Sequence, residues 1–382
     1  MTRPTGRVDA PVPRLVALDR LRALAVLSMI QGHTFSALLA EGALPPRVMH
    51  VHAIVHGLTA PAFLFGAGLA FGVATYPQYA RHHTGGPALA ARLRRCLLLV
   101  VLGYALQLPG ASLLAALHLT PEKQALVLRV GPLHLVALCL AISQLSALVL
   151  RDPRVHALFA LALGLVVMAL APGVWSAQRG LAAGPLLGPW LDGSRGSLFP
   201  IFPWASFAFF GVACAGLHTF ARDRPPRARA WLVPGLLLAG GAYLVFRAGV
   251  RLSDARWFWQ SSPVHVLFRV GLVLCVLAAL HRRDDAHVAP DPRSATMLLA
   301  RHSLVAYVAH LLVLYGTPWT PNLAHRHAAQ LGAGEATLVL VLVLAATWLA
   351  VHAWDWLTRE RALAPGWVQV ALTVLGVIVL VR

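Results

Sequence analysis

Residues 18–33 read LDRLRALAVLSMIQGH. This stretch opens the first strongly apolar run of the chain, with Asp19, Arg20 and Arg22 at its head and His33 inside it. A helix rises about 1.5 Å per residue, so Arg22 and His33 stand roughly 16 Å apart along its axis. That is about half of a ~30 Å hydrocarbon core. With Arg22 at one membrane surface, His33 falls near mid-depth. Ionisable side chains are rare there and are functional-site candidates by default. Two readings of His33 stay open at this point: a ring hydrogen-bonded to a neighbouring helix, and a chemically active one.

The rest of the chain fits a membrane setting. Of its 382 residues, 58% are hydrophobic and only 12% charged, and the mean hydropathy is +0.69. A soluble domain carries about 25% charged residues. Apolar segments run at roughly 22–40, 57–76, 96–117, 131–150, 155–172, 200–220, 231–249, 263–281, 302–319, 335–357 and 365–381. Backbone groups in lipid must be satisfied internally, so these read as helices, and their long unbroken runs exclude a transmembrane barrel. The expected fold is therefore an all-α integral membrane protein, a single bundle of about 11 transmembrane helices. Residues 1–21 form a tail and 22–382 one helical domain. The first apolar run lacks a convincing cleavage site after it and reads as a retained helix.

The formal charge of +18 would suggest nucleic acid in a soluble protein. Here the basic residues read as topology anchors. When links are assigned to alternate sides, 21 of the 32 Lys and Arg fall on the N-terminal side and 10 on the other, with Arg269 inside a segment. This bias predicts a cytoplasmic N-terminus. No basic tract with interleaved aromatics is present, so nucleic acid is set aside. Cys96, Cys139, Cys214 and Cys275 lie in or at the edge of apolar segments without metal-ligand spacing, and read as small buried residues rather than disulfides or zinc ligands.

The polar residues within this apolar chain are the functional candidates. Arg22 can hold phosphates or act as a surface anchor. Residues 41–56, EGALPPRVMHVHAIVH, read as an outer loop carrying His50, His52 and His56. His52 and His56 share one face if the following helix begins early. Such a pair can bind metal, but no HExxH pattern accompanies it, and a general base or substrate-orienting role is preferred. The segment GLTAPAFLFGAGLAFG at 57–72 holds Gly57, Gly66, Gly68 and Gly72, which permit close helix contact, and Pro61, expected to bend its entry. His134, Trp204, His265, Arg269 and His310 fall inside other segments. Arg269 needs an anionic partner, whether protein, lipid or substrate. Asp355 reads as structural, and residues 173–199 as an irregular cap.

At LDRLRALAVLSMIQGH the chain resembles the transmembrane acyltransferase superfamily. An LD pair and Arg-x10-His are similar to the signature of membrane enzymes that O-acylate surface sugars. The continuation HAIVHGLTAPAFLFGAG at 52–68, with FPIFPW at 199–204 and SLVAYVAHLLVLYG at 303–316, resembles the heparan-alpha-glucosaminide N-acetyltransferase-like proteins. The resemblance implies transfer of an acyl group, acetyl by preference, from cytoplasmic acyl-CoA to an amine or hydroxyl of a sugar-like acceptor on the outer side. Acyl-CoA is then a co-substrate and no metal is expected. It implies His52, the family's essential histidine, as general base, and His33 as a second base or polarising residue, with the two roles exchangeable. Arg22, Arg94 and Arg95 would meet the CoA phosphates; His56, His134, Trp204 and Arg269 would line the acceptor site. Membrane lipid, acyl-CoA and the acceptor are the expected partners, and a homodimer is open. An Ala-, Leu- and Arg-rich chain with one Lys, Lys123, suggests a bacterial inner membrane. The rival readings are a transporter or flippase for a small anionic or lipid-linked substrate, and a scaffold with degenerate catalytic residues.

Overall fold

A computed structural model of the chain describes residues 15–108, 118, 120–220, 228–281, 291–316 and 322–360. The tail at 1–14, most of the basic links at 222–229 and 282–290, part of the third apolar segment and the last segment at 365–381 lie outside the described residues. The described residues are helical, and the extended pairing among them is an isolated bridge between Leu39 and Leu331. The longer helices are α1 (Val16–Leu38), α2 (Pro46–Thr75), α3 (Pro87–Ala105), α4 (Pro132–Val149), α5 (Pro153–Ser176), α6 (Ile201–Phe220), α7 (Ala228–Arg247), α8 (Pro263–His281), α9 (Ala295–Arg301), α10 (Ser303–Tyr315) and α11 (Ala333–Glu360).

Proline sets several starts. Pro46, Pro87, Pro132 and Pro153 each stand in the first helical turn, where the missing N–H is one of the orphans anyway. At α5, Asp152 Oδ1 also accepts from the Arg154 N–H (2.7 Å). Seven described helices are long and apolar enough to cross a membrane, or eight if α9 and α10, bent by 86°, count as one span. Outward faces of α5, α7 and α11 carry exposed Leu and Val, such as Leu158, Leu237 and Leu349. Such faces suit lipid, which is as apolar as they are.

Helix α1 is not among those spans, although its 23 residues are enough to cross. It instead packs against α2, α8, α9, α10 and α11 at once. Contact with five helices explains why Arg22, Gln31 and His33 occur on it, with protein groups as partners, while Leu24 and Leu27 remain exposed. One end of the bundle gathers the start of α1, the end of α8 and the start of α10. There Arg20 donates to the Leu280 carbonyl (2.9 Å) and Arg22 Nη2 to Ser303 Oγ (2.9 Å). At the other end, Leu331 N–H donates to the Leu38 carbonyl (2.9 Å) and Ala40 N–H to the Leu331 carbonyl (2.9 Å).

The glycines of 57–72 are partly explained by packing. A methyl on Gly68 would come within 1.9 Å of the Ala208 carbonyl oxygen, and one on Gly211 within 2.1 Å of the Phe65 carbonyl oxygen. The backbones of α2 and α6 touch there, as small residues allow.

The outer loop expected at 41–56 is corrected. Helix α2 begins at Pro46, so His50, His52 and His56 are helical residues and Pro61 lies in the helix interior rather than its first turn. No breaker separates Pro46 from Pro61, and Val48, Val51, Ile54 and Val55 are an exposed apolar set along that stretch. Three histidines lower its hydropathy without interrupting its helix. The cap at 173–199 is also more regular than expected. It contains short helices at Arg179–Ala182 and Gly184–Leu191, held by buried Asp192, which accepts from the Gly180 and Ser194 N–H groups (both 2.8 Å).

Candidate active site

The site is built from four imidazoles on three helices. His310 of α10 is buried, and its Nδ1 lies 2.8 Å from the Ala306 carbonyl oxygen one turn back. A carbonyl only accepts, so Nδ1 carries the proton and, in the neutral ring, Nε2 presents a lone pair. His33 Nδ1 stands 3.0 Å from that Nε2, with the rings stacked at 5.2 Å. His33 therefore donates through Nδ1, which leaves its own lone pair on Nε2. That atom makes no hydrogen bond to another of the described residues, and His33 as a whole is only partly buried. The arrangement is a carbonyl–imidazole–imidazole relay that fixes the tautomer of the last ring. Tyr307 and Tyr315 flank it, 5.7 Å from His310 and 6.4 Å from His33, ring to ring.

The second pair comes from α2. His52 and His56, one turn apart, stack at 5.7 Å with 7° between planes, and His56 meets His33 edge-on at 6.3 Å. Gln31 Nε2 lies 3.0 Å from His52 Nδ1. An amide N–H donating there puts the His52 proton on Nε2, the complement of His33. His56 lies directly against α1 at Gly32, where an added methyl would fall 1.8 Å from its Nδ1. That nitrogen is buried and has no hydrogen-bond partner among the described residues. His33 and His52 thus belong to one cluster, joined through His56.

Arg269 of α8 lies beside this cluster. Its Nη2 approaches α2 at Gly57, 3.9 Å from where a Cβ would stand, and its guanidinium lies over the Trp204 ring at 5.7 Å. Other candidates stand apart. Arg22 is about three helical turns from His33 on α1 and is engaged with Ser303. Arg94 and Arg95 are exposed on α3 and make no hydrogen bond or ion pair to the described residues. Their neighbour Arg92 is the integrated one, donating to Thr75 Oγ1 (2.9 Å) and Gln144 Oε1 (2.7 Å). His134 is buried against Tyr104, with ring centroids 4.2 Å apart, and its Nδ1 accepts from the Gly131 N–H (3.1 Å) at the start of α4. His265 Nδ1 donates to the Trp259 carbonyl (2.9 Å).

Residues 15–352 match the family described as the acyltransferase domain. The chain belongs to that family. It is a multi-pass membrane acyltransferase, and no curated protein matches it as a relative. In this acyltransferase the four rings form a cluster of side chains able to take and give protons. Among the described residues no three His, Cys, Asp or Glu converge as metal ligands.

Three contributors to the acyltransferase site were not singled out by sequence. His310 was one polar residue among several, because its contact to His33 spans 277 positions. Gln31 carries a signal that could have found it, a second polar side chain two residues before His33 on an apolar helix. Gly32 carries none, since its role is the room it leaves for a ring from another helix.

Proposed function

We propose that this acyltransferase moves an acyl group, acetyl by preference, from cytoplasmic acyl-CoA to a hydroxyl or amine of a sugar-like acceptor on the outer side. His33 Nε2 takes the proton of the acceptor as its oxygen or nitrogen attacks the thioester carbonyl. The His52 Nε2–H donates toward the carbonyl oxygen as negative charge builds on it. The C–S bond breaks, the CoA thiolate leaves, and the proton on His33 passes to it. The products are the acyl ester or amide and free CoA. His310 does not touch the reactants; it positions His33 and holds its tautomer. Compared with the roles the resemblance implied, base and polarising residue are exchanged.

The observation that carries this reading is the relay from the Ala306 carbonyl through His310 to His33, which leaves the His33 lone pair on Nε2. Arg22, about 16 Å back along α1, suits the phosphates of a donor entering from the cytoplasmic face, with exposed Arg94 and Arg95 as a looser basic surface. The heparan-alpha-glucosaminide N-acetyltransferase-like branch, eleven spans with the N-terminus inside, and a bacterial inner membrane complete the proposal. They are supported by HAIVHGLTAPAFLFGAG, by the alternation of basic links and by the nearly Lys-free composition.

The test uses the full chain in lipid nanodiscs with labelled acetyl-CoA and, as acceptors, glucosamine and glucosamine 6-phosphate. Acyl-CoA consumption and acyl acceptor formation are read together. His33→Ala is expected to lower turnover by about 10²–10⁴-fold, the range for loss of a positioned base. Full turnover in that variant would refute the assignment. Passage of label across a liposome membrane without CoA release would favour transport instead.

A further inference from the structure

Arg269 sits six residues into α8 from Pro263, about 9 Å along the axis from the helix start. A guanidinium placed there is costly to leave without a counter-group. Yet Arg269 makes no hydrogen bond and no ion pair to the described residues; it lies over the face of Trp204 and beside Gly57 of α2. The Trp204 indole N–H likewise has no acceptor among the described residues, and it is not among the buried polar atoms left unpaired. His265, one turn before Arg269, spends its Nδ1–H on the Trp259 carbonyl and offers no negative charge. Two elements, α6 and α8, therefore present hydrogen-bond donors with no acceptor among the described residues, beside the α2 residue that follows His56.

A site of donors alone, one of them a permanent planar cation, selects a group that only accepts and carries negative charge. Guanidinium forks match carboxylate and phosphate oxygens in pairs. We propose that Arg269 and Trp204 form an oxyanion subsite for the acceptor, so that the acceptor is a sugar acid or sugar phosphate rather than a neutral sugar. The inference rests on the acyltransferase reading above and names the class of acceptor for that same site. The anion would anchor next to Gly57 while the reacting hydroxyl or amine reaches past His56 to His33. No step of the transfer uses Arg269; it orients.

The test measures binding separately from chemistry. The full chain in zwitterionic nanodiscs is titrated with glucose, glucuronate and glucose 6-phosphate, following thermal unfolding. A parallel set of nanodiscs contains phosphatidylglycerol. Glucuronate or glucose 6-phosphate is expected to stabilise the wild type and glucose is not. Arg269→Met is expected to weaken that binding by about tenfold or more, the scale of a lost charge-assisted pair. Arg269→Lys and Trp204→Phe, which preserve bulk, are expected to weaken it by about threefold to tenfold, and they decide the matter if the Met variant does not fold. Equal stabilisation by glucose, no stabilisation by either soluble anion, or undiminished binding in the variants overturns the subsite. Stabilisation only by phosphatidylglycerol overturns the acceptor assignment and gives the site to a lipid headgroup. Acetyl-CoA turnover of the wild type is read alongside. Anion binding without turnover defeats the transfer reading alone, and turnover without anion selectivity defeats this inference alone.

Discussion

Gly32→Ala is the sharpest perturbation of the site, because it adds a single methyl one residue from His33. That methyl would stand 1.8 Å from His56 Nδ1, 2.3 Å from Cε1 and 2.9 Å from Cγ. Comfortable contacts between heavy atoms begin near 3.5 Å, so the ring must retreat by roughly 1.5–2 Å. The atoms struck include Cγ, so a rotation of the ring tip cannot clear the clash. The stability terms oppose each other. Alanine favours a helix interior over glycine by about 1 kcal/mol, while overpacking costs about 1–3 kcal/mol. The net loss is then about 0–2 kcal/mol, and the protein should purify folded. Activity is affected more, since displacement of a reacting group by about 1 Å can cost on the order of 10²-fold. His56 stacks on His52 at 5.7 Å and meets His33 at 6.3 Å, so its retreat disturbs both. The assay is acetyl-CoA turnover in nanodiscs beside thermal unfolding, with the same substitution repeated in a His56→Ala background. There the three ring atoms nearest the methyl are gone, and the substitution should cost much less. Wild-type turnover in Gly32→Ala, or an equal loss in both backgrounds, would refute the reasoning.

His310→Phe keeps a ring in place but removes the acceptor for His33 Nδ1–H; turnover should fall by about 10²–10⁴-fold with the KM for acetyl-CoA little changed, as steady-state kinetics would show. Asp355→Ala removes the acceptor of His302 Nε2 (2.8 Å) and of Arg359 Nε (3.0 Å) where α11 meets the bend between α9 and α10. Arg359 is largely solvated and contributes little, so the loss is set by the His302 contact at about 1–3 kcal/mol, read as a lowered unfolding temperature in detergent.

What could be read from the chain alone was whatever depends on local pattern. Leu18–His33 declared an apolar helix with an inward histidine, and α4, α6 and α8 fall close to their hydropathy segments. The start of α2 was misread because His50, His52 and His56 make a helical stretch look like a polar loop. The bend at His302 was invisible, since SLVAYVAHLLVLY and the preceding ATMLLAR are both good helix formers and the turn is fixed by contacts to α1 and α11. The site was half legible. His33, His52 and His56 announce themselves as titratable groups in or beside apolar runs. So does His310, but its pairing with His33 does not, because that partner lies on α1 at the opposite end of the sequence. Nor could sequence separate Arg92, which is woven into Thr75 and Gln144, from Arg94 and Arg95, which face outward: one helical turn holds all three.

Helix α10 has 13 residues, which gives it about 20 Å of length, against a hydrocarbon thickness of about 30 Å. His310 therefore lies about 10 Å from the Ser303 end and about 8 Å from the Tyr315 end. The ring that holds His33 in place thus sits within about two helical turns of either end of its helix. In the proposed transfer, a donor and an acceptor meeting that ring from opposite ends of α10 would each reach over only a short distance, as through a hatch between two rooms, and neither would pass through.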